Sequence, residues 1–186
     1  KDFTPHIPIM TENSSSHSIP ACRLKEMFSK VKHCIAPKDE VREVLRGMSL
    51  KINIQNEMTI ACADGKRCAM DKAPVNVDRF ETYINTNGIE TTKEIVSVVV
   101  PEKTIMKLLK LLDGTVVIKT KTEGSDGVEF SFFGNGYDVI FYSSLIAGTF
   151  PNYSQVIPSS YNSKMGIEKK PFVDILKRHR KFVDKL

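Results

Sequence analysis

No apolar run in the 186 residues approaches the ~20 that a membrane-spanning helix requires, and nothing at the start of the chain has the layout of a signal peptide. The expectation is a soluble, cytoplasmic protein with no membrane partner. Cysteine is sparse: Cys22, Cys34, Cys62 and Cys68 form no CxxC pair and have no histidine at finger-like spacing, so they read as reduced thiols and not as a metal site. The chain also lacks a P-loop, a GxSxG, an HExxH and any acidic cluster with metal-ligand spacing. Asp64, Asp113 and Asp126 each precede glycine in a turn-like segment, so a hydrolase built on them with His33 or Cys34 as base or nucleophile is the weakest reading. No catalytic residue, metal or cofactor is expected. Lys and Arg outnumber Asp and Glu by 27 to 22, a net charge of +5 that admits a polyanionic partner without requiring one. With no recognition-helix signature, zinc finger or aromatic-rich RNA motif, any nucleic-acid binding would be blind to sequence and sensitive to salt.

What the chain does contain is one unit used twice. Residues 1–17, with two prolines and a Ser/Asn cluster but no apolar period, read as a linker. A short strand then ends at Ile19, Pro20 opens a helix, and Leu24, Met27, Phe28 and Val31 fall on one helical stripe. Beyond the turn-like APKDE segment, Met48, Leu50, Ile52 and Ile54 alternate with polar residues as in a half-buried strand, and Met58, Ile60 and Cys62 do the same. Asp64-Gly65 supplies the hairpin turn into a third strand around RCAM. EIVSVVV, Pro101 and the stripe Ile105, Leu108, Leu109, Leu112 then repeat strand, proline and helix at a constant offset of 81 residues. Strands around TVVIKT, GVEFSFF and YDVIFYSSL follow, punctuated by Asp113-Gly114, Asp126-Gly127 and Gly134-Asn135-Gly136. The expected fold is α+β, with duplicated β-α-β-β-β half-domains and two helices packed on antiparallel sheet.

A third copy starts near the end, where a strand-like MGIEKK precedes Phe172, Ile175, Leu176 and His179 on one helical stripe. A strand and helix without partner strands cannot bury their apolar faces, so the protein is expected to continue past Leu186. The half-repeats span about 18–74 and 94–145, within a domain of 18–158 followed by residues 159–186 of another. On the second repeat helix Lys103, Lys107 and Lys110 lie opposite the apolar stripe. Arg23 and Lys30, with Glu26 between them, take the outer face of the first. Two such helices on one sheet would offer a phosphate backbone a common basic surface.

Four ordered motifs carry a resemblance that spans Ser18 to Leu186. ADGKR (63–67), GTFPNYSQVIP (148–158), VVVPEKTIMKLLKLLDG and VREVLRGM (41–48) are similar to segments of the bacterial DNA polymerase III beta subunits, the beta sliding clamps. The resemblance implies the middle domain of the DNA-clamp fold plus the start of the C-terminal domain. It further implies a ring-shaped homodimer with helices lining a hole for double-stranded DNA, a non-catalytic processivity factor for the polymerase. Arg23, Lys30, Lys103, Lys107 and Lys110 would face the DNA. Partners would be the polymerase catalytic subunit, the clamp loader and repair proteins, each docking a short linear peptide between the middle and last domains. This side of that pocket would comprise Leu45, Ala63, Gly65, Lys66, Arg67, Cys68, Pro151, Gln155 and Val156. Ala63, Cys68 and Gln155 depart from the residues common in the family (Thr, Leu and Arg), which implies a shifted peptide preference. The rival reading is a protein-docking module that never meets DNA.

Overall fold

Each half-repeat opens with a strand that runs into proline, and the proline ends pairing and starts a helix in one step. The computed structural model describes residues 14–79, 94–121, 126–134, 136–155, 157, 160 and 162–183. In the first half, β1 (Ser14–Pro20) leads into α1 (Ala21–Val31), followed by β2 (Gly47–Asn53), β3 (Glu57–Ala63) and β4 (Cys68–Pro74). In the second, β6 (Glu94–Pro101) leads into α2 (Glu102–Leu111), then β7 (Thr115–Lys121), β8 (Gly127–Gly134) and β9 (Tyr137–Ser144). Pro20 and Pro101 occupy the N-cap positions, with φ of −59° and −60°, where a residue without an N–H costs the helix no hydrogen bond.

The halves are not separate sheets. Strand order is β5-β1-β7-β8-β9 in one sheet and β4-β3-β2-β6 in the other, all antiparallel. Thus the leading strand of each half joins the sheet of the other's three trailing strands, β1 pairing with β7 and β6 with β2. The registers match: Ile19 pairs with Val116 and Met48 with Val100, so Ile19 and Val100 stand in equivalent places. A backbone bond from Ala21 N–H to the Gly114 carbonyl (2.8 Å) adds a link between the start of α1 and the turn after α2.

The helix stripes meet in one buried cluster with both sheets. Leu24, Met27, Phe28 and Val31 from α1 lie with Ile105 and Leu108 from α2 and Leu112 just after it, with Met48, Leu50 and Ile52 of one sheet, and with Ile118, Val128 and Phe130 of the other. Leu109 is packed against this cluster but only partly buried. Alternate residues of β2, β3 and β6 face away from it, yet Ser49, Ala61 and Val99 are buried too. The segment after β9 crosses to this back face, where Ile146 N–H donates to the Val99 carbonyl (2.9 Å).

Several expectations need correction. The paired strand β1 starts at Ser14, so residues 14–17 are sheet and not linker: each finds a partner on β7, beginning with Ser14 opposite Lys121. Ile54 lies past the end of β2 and is 47% exposed, because the chain turns at Asn53, whose side chain accepts from Gln55 N–H and Glu57 N–H. The first half also has an unforeseen strand, β5 (Asn76–Arg79), on the edge beside β1. Residues 1–13 and Asn135 of the expected linker and turn lie outside the described residues.

The chain divides into two compact units, Lys1–Pro151 and Asn152–Leu186, a break earlier than the expected boundary after Pro158. The second unit holds α3 (Lys169–Val183), on which Phe172, Ile175 and Leu176 are each about half exposed. MGIEKK is not a strand: residues 165–168 are irregular and Lys169 already begins the helix. A strand needs neighbours for its N–H and C=O groups, and no described strand lies in this unit. Among the described residues no helix is long and apolar enough to cross a membrane.

Because α1 and α2 anchor a shared cluster, Leu24→Ala and Ile105→Ala, one in each half, should each lower the unfolding free energy of the domain by about 2–5 kcal/mol, read by urea denaturation.

Candidate nucleic-acid interface and hairpin site

α1 and α2 pack against each other, so their exposed sides form adjoining strips. On α2 that strip consists of Lys103, Met106, Lys107, Lys110 and Leu111, and among the described residues none of its three lysines has an ion-pair partner. On α1 the expected cations are in company. Arg23 Nη1 pairs with Glu26 Oε2 at 2.9 Å, Arg23 Nη2 lies 3.2 Å from Asp71 Oδ2, and Lys30 Nζ lies 2.7 Å from Glu26 Oε1 and 3.5 Å from Asp71 Oδ2. Arg23 Nη2 also donates to the Lys72 carbonyl at 2.7 Å, tying α1 to β4. The Lys30 ammonium and the Glu26 carboxylate hold each other charged: the lysine pKa is raised and the glutamate's lowered, chiefly by their mutual hydrogen bond.

Nor are Arg23 and Lys30 the counterparts of the α2 lysines. At the 81-residue offset, Lys103, Lys107 and Lys110 correspond to Cys22, Glu26 and Ser29, while Arg23 corresponds to Thr104. Thr104 is buried and its hydroxyl lies 2.6 Å from Ser143 Oγ on β9. Both halves thus use the residue three places after the helix-opening proline to fasten the helix to the last strand, one with an ionic link and one with hydroxyls.

The hairpin between β3 and β4 is held by Asp64. Its Oδ1 accepts from Lys66 N–H (3.0 Å) and Arg67 N–H (2.7 Å), and its Oδ2 accepts from Arg67 Nε (2.9 Å) and Nη2 (2.7 Å). Donors converging on the anion, the Arg67 backbone N–H first, pull the Asp64 pKa down to about 2. Gly65 has φ +84°, and the space a Cβ would enter there is bounded by Arg42 Nη2 at 3.0 Å. Arg42, which sequence reasoning passed over in VREVLRGM, is therefore a neighbour of the hairpin tip.

Ala63 and Cys68 pair directly across the hairpin. Counting along β3 from Ala61, Ala63 lies on the back face of its sheet, away from the main cluster. That face also buries Ala61, Ser49 and Val99. Leu45, from the 3-10 turn Glu43–Arg46 that leads into β2, is 1% exposed and stands outside the main cluster, as does buried Phe150. The close approach that seals this face is at Gly47, where a Cβ would strike the Val100 carbonyl, Ile146 and Val99. The first unit therefore brings the hairpin (Ala63, Gly65, Lys66, Arg67, Cys68) and the turn bearing Leu45 together, and Pro151 ends this unit with an exposed side chain. Gln155 belongs to the second unit, exposed on the turn Tyr153–Gln155, and Val156 lies outside the described residues.

Of the groups considered for catalysis, Cys34, Asp64 and Asp113 are placed unlike catalysts. Burial pushes the Cys34 thiol up, away from the thiolate a nucleophile needs, and does the same to Cys62. Asp64 is occupied by its own hairpin, and Asp113 accepts the Gly114 N–H at 2.9 Å. All four cysteines are free, and among the described residues no three His, Cys, Asp or Glu side chains gather as a metal site would require.

Residues 18–152 match the family described as DNA polymerase III beta subunit, central domain. The chain belongs to this family. Among curated relatives, the beta sliding clamp of Bacillus subtilis is 25% identical over 181 residues, covering 95% of this chain and 42% of that protein. That of Rickettsia felis is 32% identical over 143 residues, covering 75% of the chain and 33% of the relative. Of solved structures, the Bacillus subtilis DNA polymerase sliding clamp aligns over 86% of this chain and 37% of its own, with a TM-score of 0.63 and 25% identity. The Helicobacter pylori beta clamp bound to a DNA ligase peptide aligns over 87% and 40%, with a TM-score of 0.66 and 20% identity, a likeness of fold. The chain spans about two fifths of the length of these two clamps.

The depressed Asp64 pKa has a signed consequence. Its contribution to hairpin stability is complete above the ordinary aspartate value near ~4 and is lost as pH falls through about 2. Carboxyl NMR should follow that midpoint, and Asp64→Asn should speed amide exchange at Lys66 and Arg67 at neutral pH.

Proposed function

We propose that this chain is the DNA-tracking and partner-docking part of a sliding clamp: a non-catalytic processivity factor that encircles duplex DNA and tethers the replicative polymerase. The observation that carries the reading is the pair of equivalent helices whose apolar stripes share one core while α2 turns Lys103, Lys107 and Lys110 outward. Such a surface attracts phosphates without reading bases, and lysines on flexible stems let the contacts be weak and exchangeable, which sliding requires. On this reading the unit from β1 to Pro151 is the middle domain of a ring-forming cytoplasmic homodimer, and the unit from Asn152 begins the next domain.

The same reading assigns the hairpin region to partner proteins. An apolar anchor of a short linear peptide would be taken up beside Leu45, Ala63, Cys68 and Pro151, with Gly65, Lys66 and Arg67 giving the backbone and cationic contacts that orient it. Gln155 and Val156 are assigned to the same role from the resemblance. The ligase peptide on the Helicobacter pylori clamp supports docking of this kind. Loader and polymerase would use such motifs in turn. Arg42, beside the hairpin tip, joins this set on geometry alone.

The rival is a docking module that never touches DNA. In the complete protein, the combined change Lys103→Glu, Lys107→Glu and Lys110→Glu should cut processive synthesis on primed DNA at least ~10-fold by reversing the local charge. Unchanged processivity would favour the rival. Peptide binding, measured by calorimetry, should be untouched by the same substitutions.

A further inference from the structure

We propose that this domain holds a duplex through α2 alone, and that Glu26 and Asp71 keep α1 out of the phosphate contact. This rests on the clamp reading and goes beyond it, since a duplicated domain would be expected to offer both helices alike.

The outermost positions of the two helices differ in charge. In α2 they are Lys103, Lys107 and Lys110, all exposed and with no ion-pair partner among the described residues. In α1 the same positions are Cys22, Glu26 and Ser29, which sum to one negative charge. Among the cations of α1, Lys25 and Lys30 take the places of Met106 and Leu111, and Arg23 takes that of the buried Thr104. Arg23 and Lys30 share two carboxylates, Glu26 on their own helix and Asp71 on β4, at 2.7 to 3.5 Å, so the four charges cancel. Arg23 is bound further to the Lys72 carbonyl. Lys72 is itself paired with Glu57 at 2.8 Å, so it adds no uncompensated charge beside the network. Lys25 is partly buried.

A phosphate approaching α1 therefore meets Arg23 and Lys30 already held by Glu26 and Asp71. It could recruit Arg23 or Lys30 only by displacing a carboxylate already in place, and that exchange gains almost nothing in water. A phosphate approaching α2 releases counterions from three unpaired ammonium groups. A domain gripping through one helix instead of two displaces fewer counterions, which suits a ring that must move along DNA.

The experiment is the salt dependence of binding between the complete protein and a fluorescent 30-base-pair duplex (about three helical turns), followed by anisotropy from low salt upward. Each of Lys103→Gln, Lys107→Gln and Lys110→Gln should lower the slope of log K against log salt by about 0.9, while Lys25→Gln and Lys30→Gln leave it unchanged. Glu26→Gln frees one net positive charge on α1 and should raise the slope by about 0.9, as should Asp71→Asn. A purely structural role for the network would leave the slope alone in both acid variants, and that result overturns the proposal. So does a fall in slope for Lys25→Gln or Lys30→Gln equal to that of an α2 lysine, although DNA binding through both helices would leave the clamp reading standing. If duplex binding is missing even at low salt and no substitution matters, the DNA reading itself falls, and the proposal with it.

Discussion

Everything in this domain depends on an exchange of strands. β1 precedes α1 in the chain but completes the sheet of the second half, and β6 does the same for the first. The trade makes each helix a bridge between sheets, since it begins where a strand of one sheet stops and is followed by strands of the other. Helix orientation follows from this. α1 and α2 are fixed at both ends by opposite sheets, so their apolar stripes can only point into the common cluster and their polar sides only away from it. Strand and helix are joined without a loop at Pro20 and Pro101, which leaves little freedom for a helix to turn about its axis.

On that symmetric frame the chemistry has diverged. The residue that fastens each helix to its half's last strand is an arginine in one half and a threonine in the other, and the consequence reaches the surface. Arg23 needs anionic partners, and Asp71 and Glu26, which supply them, also take up Lys30. Thr104 and Ser143 satisfy each other, so α2 needs no carboxylate nearby and its lysines stay unpaired among the described residues. The back face of the other sheet diverged as well. It carries the hairpin locked by Asp64 and the turn bearing Leu45, with Gly47 allowing Ile146 to lie against the sheet.

Much of this was legible in the residues. The 81-residue offset, both helical stripes, the two prolines and the Asp-Gly turns at Gly65 and Gly114 are local signals, whereas Gly127 opens β8, and local periodicity records which side of an element is buried. Strand exchange was not legible, because pairing Ile19 with Val116 or Met48 with Val100 joins segments far apart in the chain, and alternating patterns alone do not choose partners. The same limit hid the pairing of Arg23 and Lys30 with Asp71, which lies on a strand far downstream. The burial of Leu45 and Phe150 was hidden because each belongs to a short irregular segment with no period to read. MGIEKK misled for the opposite reason: it alternates like a strand, but a strand exists only with a partner.

The interlocking of the halves is tested most directly by native-state amide hydrogen exchange at Ile19, Met48, Val100 and Val116, the four residues at the two exchanged pairings. All four should exchange only through the same global unfolding, with one free energy and one denaturant dependence. Exchange of Met48 and Val100 at a free energy distinctly below that of Ile19 and Val116, or the reverse, would mean that one sheet opens without the other, and the account of a single interlocked domain would be wrong.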